Sequence, residues 1–580
     1  MTTLVSAPGG LDLVGLDRDP LSEPLVSRAS LQAMPPEVLD LIFEHLVPQV
    51  PEIGETRPVA YHQLMAEEPW YEFTRRRRGL RSLCRTSRRL SQLAFPHFYR
   101  VVAIWNETAL LLFLRTLTDK PQYGLWTRYF SCHITLTELT VIREVRELLP
   151  RYLPTFRPAR GNGVLITAAR HFLQMLGALL PGMVAADGDF DHIPQALVCF
   201  ILMFLSKVET VMLQVPISDD QPEYQVLCDQ IEGLKDLFRN DPDSIPLQHV
   251  HTLQLQGDPE LMAEIESNDC KCEAHADSTD VWGSQPRKYA SLFANCPRLT
   301  TLEVSNDDGV WIADQEDENR FDLDGDDDAN NNDDDKKPPP PPFLANIKHI
   351  YLHNSLAYPD DLYHLILNAP KLETLYMAPR NDELFREAID DNSPHNAHPE
   401  ALDNALAHHA RHLRSLDVSW QDISGFESVV GPDGRLPSLA TMPSLESLCV
   451  PMGLLYGRPA AVLETPLVEL LPPNLVELVL EDWWFSNVTL LEELPTWGPT
   501  ERVKYYQSQH HYRVNAIDTL SKFARDVRTR LHKLKKVILI CKIPWTWVLE
   551  GAVGLEFHFE GVKRQFLQQG VDFSVRGDEV

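Results

Sequence analysis

Three clusters of ligand-type side chains are the nearest this sequence comes to a reactive site. Cys270-x-Cys272-x-x-His275 places two thiols and an imidazole within six residues, a set suited to zinc. A structural zinc takes four ligands, and no second pair stands nearby at zinc-finger spacing, so a polar loop is the competing reading. His408 and His412 are one helical turn apart and would either share a metal or stand on a solvated helix face. Asp322-x-Asp324-x-Asp326 imitates the start of a calcium loop, but Asp327 occupies the place where the loop's sharp turn needs glycine. No metal and no cofactor are expected. Catalytic signatures are missing too: there is no Gly-x-Ser-x-Gly elbow, no phosphate-binding Gly-x-x-x-x-Gly-Lys, no His-Glu-x-x-His and no Gly-x-Gly-x-x-Gly. No catalytic residue is assigned, and the chain reads as a non-enzyme.

The charge balance points to proteins as partners. The 580 residues carry a net charge of −30. Asp307 to Asp335 holds fourteen acids and one arginine, −13 of that total, leaving −17 for the rest. This Asp/Asn-rich run, with Lys336, Lys337 and the prolines 338–342 after it, cannot bury enough apolar area to fold and is expected to be disordered. An acidic chain lacks the concentrated basic surface that nucleic acid requires. One basic cluster stands out, Arg75 to Arg78 with Arg81, Arg85, Arg88 and Arg89. It reads as a nuclear-localisation run, or as a solvated face complementary to an acidic partner. The longest apolar run, 196–205, has ten residues and is too short to span a bilayer, so no membrane partner is expected. With no signal peptide visible, the expected location is intracellular, in cytoplasm or nucleus. Nine dispersed cysteines read as reduced thiols.

Residues Met34 to Leu46 form the most informative local element. Two prolines open a short helix, and Glu37 sits where the positive end of the helix dipole favours a carboxylate. At about 100° per residue, Val38, Leu39, Ile42, Phe43 and Leu46 fill an arc of roughly 140°, which Leu41 extends towards roughly 200°. A single packed face needs only about half of that upper figure. The surplus predicts a helix that closes a small core on one side and offers apolar surface to another protein on the other.

This run, together with Leu80 to Arg100, resembles an F-box. Pro35, Glu37, Val38, Leu39, Ile42, Phe43 and Leu46 match the opening half, with Met34 in place of the usual leucine. Leu80-Arg-Ser-Leu-Cys84 and the terminal Pro96-x-x-Tyr99-Arg100 resemble the closing half in its filamentous-fungal form. About thirty extra residues, 47–78, separate the halves and are expected to form an inserted loop, which closure entropy tolerates. The resemblance implies docking to a Skp-type adaptor, and through it to a cullin, by Pro35, Glu37, Leu39, Ile42, Leu46 and Leu83.

Downstream, the pattern aliphatic-x-x-aliphatic-x-aliphatic recurs nine times. Its first members are Val208, Val250, Leu299, Ile347, Leu372, Leu413, Leu445, Leu475 and Leu534. The start-to-start spacing ranges from 25 to 59 residues. The pattern resembles an irregular leucine-rich repeat, in which each unit gives a short strand and a helix that packs on its neighbour. The asparagine that usually follows the strand is mostly missing. Alternation along each strand would put Thr301, Glu303, Ser305, His349, Tyr351, His353, Thr374, Tyr376, Ser415, Asp417, Ser419, Glu477 and Glu481 on the solvent side. Trp420, Trp483, Trp484 and Phe485 follow strands directly and read either as binding hot spots or as edge caps. Near the C-terminus a helix is expected over 515–532, strands over 533–541, 555–559 and 571–575, and a short helix over 562–569.

The expected architecture is α/β, a helical F-box followed by a leucine-rich-repeat-like solenoid. Its parts are a disordered N-terminus (1–28), the F-box (29–104), solenoid (105–305), the acidic and polyproline insertion (306–343) and solenoid again (344–580). The expected function is substrate recognition for an SCF-type ubiquitin ligase, with an unidentified protein substrate bound near Tyr351, Tyr376, Asp417, Trp420, Trp483 and Trp484. A protein-interaction scaffold outside any ligase is the alternative.

Overall fold

The computed structural model describes residues 34–48, 68–105, 107–132, 198, 201–215, 246–257, 295–306, 344–355, 359–379, 399–418, 435–456, 465–482, 517–542 and 555–578, with residues 31 and 357. Among these residues runs one parallel sheet of twelve strands in strict chain order. The strands are β1 (Val101–Ile104), β2 (Tyr129–Cys132), β3 (Thr210–Val215), β4 (Thr252–Gly257), β5 (Thr301–Ser305) and β6 (His349–Ser355). They continue as β7 (Thr374–Pro379), β8 (Ser415–Val418), β9 (Ser447–Pro451), β10 (Glu477–Asp482), β11 (Lys536–Lys542) and β12 (Asp572–Asp578). Sequential parallel strands, each paired only with its neighbours in the chain, give an α/β, solenoid-like fold.

The aliphatic triplets build it. Each first member lies in the turn before its strand, and in eight of the nine its N–H donates back three residues, as in Leu372 to Ala369 (3.0 Å) and Leu413 to Ala410 (3.1 Å). Beyond that turn two successive N–H groups converge on one carbonyl of the preceding repeat, Lys348 and His349 on Thr300 at 2.8 and 3.0 Å. The second members then align across the sheet as Val211, Leu253, Leu302, Ile350, Leu375, Leu416, Leu448, Leu478 and Val537. None of these nine is more than 1% exposed.

Helices cover this row and form one continuous core with it. They include α4 (Glu107–Asp119), α5 (Pro359–Asn368), α6 (Pro399–His408), α7 (517–530) and α8 (Leu555–Gln568). They turn apolar stripes at helical spacing inward: Leu362, Leu365 and Ile366 from α5, with Ala369 just beyond its end, and Leu520, Phe523, Ala524 and Val527 from α7.

Two expectations are corrected. The 555–559 stretch is helix α8, not a strand, because the alternation of five residues gives way to a helical stripe of Phe559, Val562 and Phe566. His412 lies beyond the end of α6, so His408 and His412 do not share a helix face. Two asparagines stand near strand ends, Asn306 just after β5 and Asn354 within the last residues of β6. Asn306 and Asn354 both adopt positive φ (56° and 51°), and Asn354 Nδ2 donates to Asn306 Oδ1 at 2.6 Å. Asn306 Nδ2 in turn donates to the Gly257 carbonyl (3.2 Å), and the approach is so close that a Cβ on Gly257 would lie 2.4 Å from the Asn306 oxygen. The 1–28 segment, the 306–343 insertion apart from Asn306, and the Cys270–His275 and Asp322–Asp326 motifs lie outside the described residues.

Candidate protein-interaction surfaces

Three helices precede the sheet: α1 (Pro36–Leu46), α2 (Glu68–Cys84) and α3 (Arg88–Phe98). Pro35 occupies the N-cap of α1 without a side-chain cap, and Glu37 lies exposed in the first turn, so its contribution is to the helix dipole. The insertion between the motif halves is shorter than the sequence implied. Helix α2 already starts at Glu68, with Pro69 in the first turn where a missing N–H costs nothing. The 80–100 stretch is shared between two helices, the end of α2 and all of α3. They break at Arg85 to Ser87, and Ser87 Oγ accepts from the Leu90 N–H at 3.2 Å to cap α3.

The three helices enclose a small core of Leu39, Phe43, Leu80, Leu90 and Ala94, rimmed by Met34, Leu46, Leu83, Cys84, Leu93 and Phe98. This corrects the docking assignment for one residue. Leu39 is fully buried and belongs to the core, while Leu46 and Leu83 are partly buried at its rim. The apolar side chains α1 turns outward are Val38 (42% exposed) and Leu41 (66%), flanked by exposed Pro35, partly buried Ile42 and, one turn earlier, Leu31 (39%). Helical spacing foresaw surplus apolar surface, but a wheel alone cannot say which flank of the arc meets the core.

Polar contacts fix α1 in this orientation. Buried His97 of α3 places Nε2 2.7 Å from Asp40 Oδ1 and Nδ1 3.4 Å from Glu44 Oε2, and its ring packs on Phe43 at 5.8 Å. Arg100 pairs with Glu44, and Arg89 donates to the Met34 carbonyl at 2.8 Å. The outward stripe therefore faces away from α3.

The arginine run is not a uniform basic face. Arg75 and Arg76 pair with Glu72 at 2.7 and 2.8 Å and hold its carboxyl below the usual carboxylate range. Arg77 folds inward: its guanidinium donates to the Ala103 carbonyl (3.2 Å) and lies 5.4 Å from the Phe98 ring centre, and burial lowers its pKa. Arg78, Arg81, Arg85, Arg88 and Arg89 are exposed. Phe73 of α2 packs with Val101, Ala103 and Tyr129, so the helical unit sits directly on the first strands of the sheet.

The second surface is the sheet face opposite the aliphatic rows. Its central row runs Gln254, Glu303, Tyr351, Tyr376, Asp417, Cys449 and Val479 on β4 to β10. This face is less exposed than alternation suggested, because strands about 4.8 Å apart pack large side chains shoulder to shoulder. Glu303, His353 and Glu481 are buried, while Thr301, Ser305, His349, Tyr351, Thr374, Tyr376, Ser415, Asp417 and Glu477 are half-buried. His353 Nε2 lies 3.4 Å from Glu303 Oε1, and its ring is 5.0 Å from that of Tyr376, which is 6.3 Å from Tyr351. Burial raises the Glu303 pKa, opposed by His353, and burial also raises that of Tyr351. Asp417 is pushed up to about 6 by burial, with the Cys449 thiol opposing. Cys449 Sγ lies 3.8 Å from Glu481 Oε1, and its own pKa is driven upward by burial and by the two carboxylates.

Ser419, Trp420, Trp483, Trp484 and Phe485 lie outside the described residues. Among the described residues no group of three or more His, Cys, Asp or Glu is placed to hold a metal, and no helix is long and apolar enough to cross a membrane.

No protein-family model matches the chain, and no curated protein matches its sequence. Among solved structures, the crystal structure of the Rad7 and Elc1 complex in yeast covers 70% of this chain and 94% of that chain at 11% identity. Its TM-score is 0.18, a level of similarity that carries no argument about function.

Proposed function

We propose that the chain is the non-catalytic substrate receptor of an SCF-type (Skp–cullin–F-box) ubiquitin ligase, acting inside the cell in cytoplasm or nucleus. The observation that carries this reading is the two-sided character of α1. One stripe, Leu39, Phe43 and Leu46, closes a core with α2 and α3, while Val38 and Leu41 remain exposed on the other. Large exposed aliphatics side by side on a short, firmly held helix are a docking surface in search of a partner. Burying a Val or Leu side chain fully is worth about 1.5–3 kcal/mol, enough to make each a hot spot. A Skp-type adaptor docks on Pro35, Val38, Leu41 and Ile42, with Leu46 and Leu83 at the margin, and brings a cullin with it. The protein substrate binds the polar sheet face around Tyr351, Tyr376 and Asp417.

Co-purification tests the reading. Tagged full-length chain should recover a Skp-type adaptor and a cullin, and Val38→Asp with Leu41→Asp should lose both while the fold is kept. Absence of adaptor and cullin from the wild-type preparation would replace this reading with that of a scaffold outside any ligase.

A further inference from the structure

The sheet face carries polar atoms that find no partner among the described residues. On β4, β5 and β6, Gln254 (4% exposed), Gln256 (7%), Glu303 (8%) and His353 (5%) are all more than nine-tenths buried. Among the described residues Gln254 Nε2, Gln256 Oε1 and Glu303 Oε2 have no hydrogen-bond partner, while His353 Nε2 faces the other Glu303 oxygen at 3.4 Å. Register places them together. Gln254 is opposite Glu303 and Glu303 opposite Tyr351, while Gln256 is opposite Ser305 and Ser305 opposite His353. All lie on the same face of neighbouring strands, so the orphan atoms point to one side of the sheet. A buried polar atom without a partner is destabilising, more so for a charged group, and three on one face of neighbouring strands are a demand for a ligand.

The chemistry of the demand selects the ligand. A carboxylate and an amide oxygen ask for donors, and the adjoining half-buried rings of Tyr351 and Tyr376 offer π faces that attract a cation. A guanidinium meets both best, with donors in one plane for the acceptors and a flat face for the rings, where an ammonium brings only a point charge. The Gln254 amide then asks for an acceptor, which a peptide carbonyl beside the cation supplies. We propose that this patch is the substrate-reading site, and that it takes an arginine side chain in an extended segment of the bound protein. The inference rests on the sheet face being the substrate side. Burial already raises the Glu303 pKa, so an arriving cation finds a site whose own charge is poorly compensated.

The test uses the full chain and a twelve-residue Gly/Ser peptide carrying one central arginine, with a twin in which citrulline replaces it. Citrulline keeps the shape and removes the charge, so the comparison needs no change in the protein. Saturable binding of the arginine peptide, at least tenfold tighter than that of its twin and weakened at least tenfold by Glu303→Gln, is the expected result. Equal binding of the two peptides, no saturable binding, or undiminished binding by folded Glu303→Gln overturns the proposal. Should Glu303→Gln fail to fold, Tyr376→Leu replaces it with the same expectation. Adaptor capture is measured on the same preparations and does not depend on Glu303, so failure of this site and failure of the ligase reading are told apart.

Discussion

Replacing Leu39 by alanine separates core from docking surface on α1. The side chain is fully buried in a five-residue core with Phe43, Leu80, Leu90 and Ala94. Losing three carbons at about 0.8 kcal/mol each gives about 2.4 kcal/mol of transfer energy. The cavity adds to this, for a total in the range of about 3–5 kcal/mol, because so small a core has few side chains with which to collapse. Leu41→Ala, at a site 66% exposed, should shift stability by no more than about 0.5 kcal/mol. Hydrogen exchange of the α1 amides reads this difference directly. A loss of 3 kcal/mol in local stability speeds exchange by about a hundredfold in Leu39→Ala, while Leu41→Ala stays near wild type. Adaptor capture is expected to fail in both variants, in the first because α1 is loosened and in the second because contact is lost. Unchanged α1 protection in Leu39→Ala, or protection lost in Leu41→Ala, would refute the assignment of the two stripes.

Three further outcomes are expected. His97→Ala removes a buried side chain bonded to Asp40 and packed on Phe43, and should cost about 1–3 kcal/mol, seen as faster exchange in α1 and α3 but not in β6 to β9. Gly257→Ala forces a Cβ to within 2.4 Å of the Asn306 carbonyl oxygen and should lower the urea midpoint, whereas an unchanged midpoint would dissolve the claimed close approach. Asp417 titrates at about 6 in the folded chain, above its ordinary value of 3.8, so the folded state holds its proton longer than the unfolded one. Its contribution to stability therefore falls as pH rises from about 4 to about 6. Asp417→Asn removes that dependence, and the difference in urea midpoint between variant and wild type should grow in the variant's favour across that window and then level off.

The repeat body was legible because its code is local. Aliphatic-x-x-aliphatic-x-aliphatic records a turn residue and two inward strand residues, and the nine triplets lead into β3 to β11. Strands β1 and β2 escaped because Val101–Ile104 and Tyr129–Cys132 are buried on both faces, Phe73 of α2 covering one of them, so no alternation marks them. The 555–559 stretch misled because five alternating residues fit either period, and only Val562 and Phe566 further on decide for a helix. Surplus apolar surface on α1 was readable from residue spacing. That Leu39 faces inward and Leu41 outward depends on where α2 and α3 pack, which no helical wheel contains. Nor does the sequence alone reveal that Gln254, Gln256, Glu303 and His353 converge, since β4 to β6 draw them from positions up to 99 apart in the chain through parallel pairing.

Titration calorimetry with purified adaptor decides whether the outward stripe of α1 docks a Skp-type adaptor. Full-length chain should bind the adaptor with one-to-one stoichiometry, and Val38→Asp with Leu41→Asp should abolish the binding while α1 amide protection and the thermal midpoint stay unchanged. No binding by the wild-type chain, or equal binding by the folded double variant, would contradict the account.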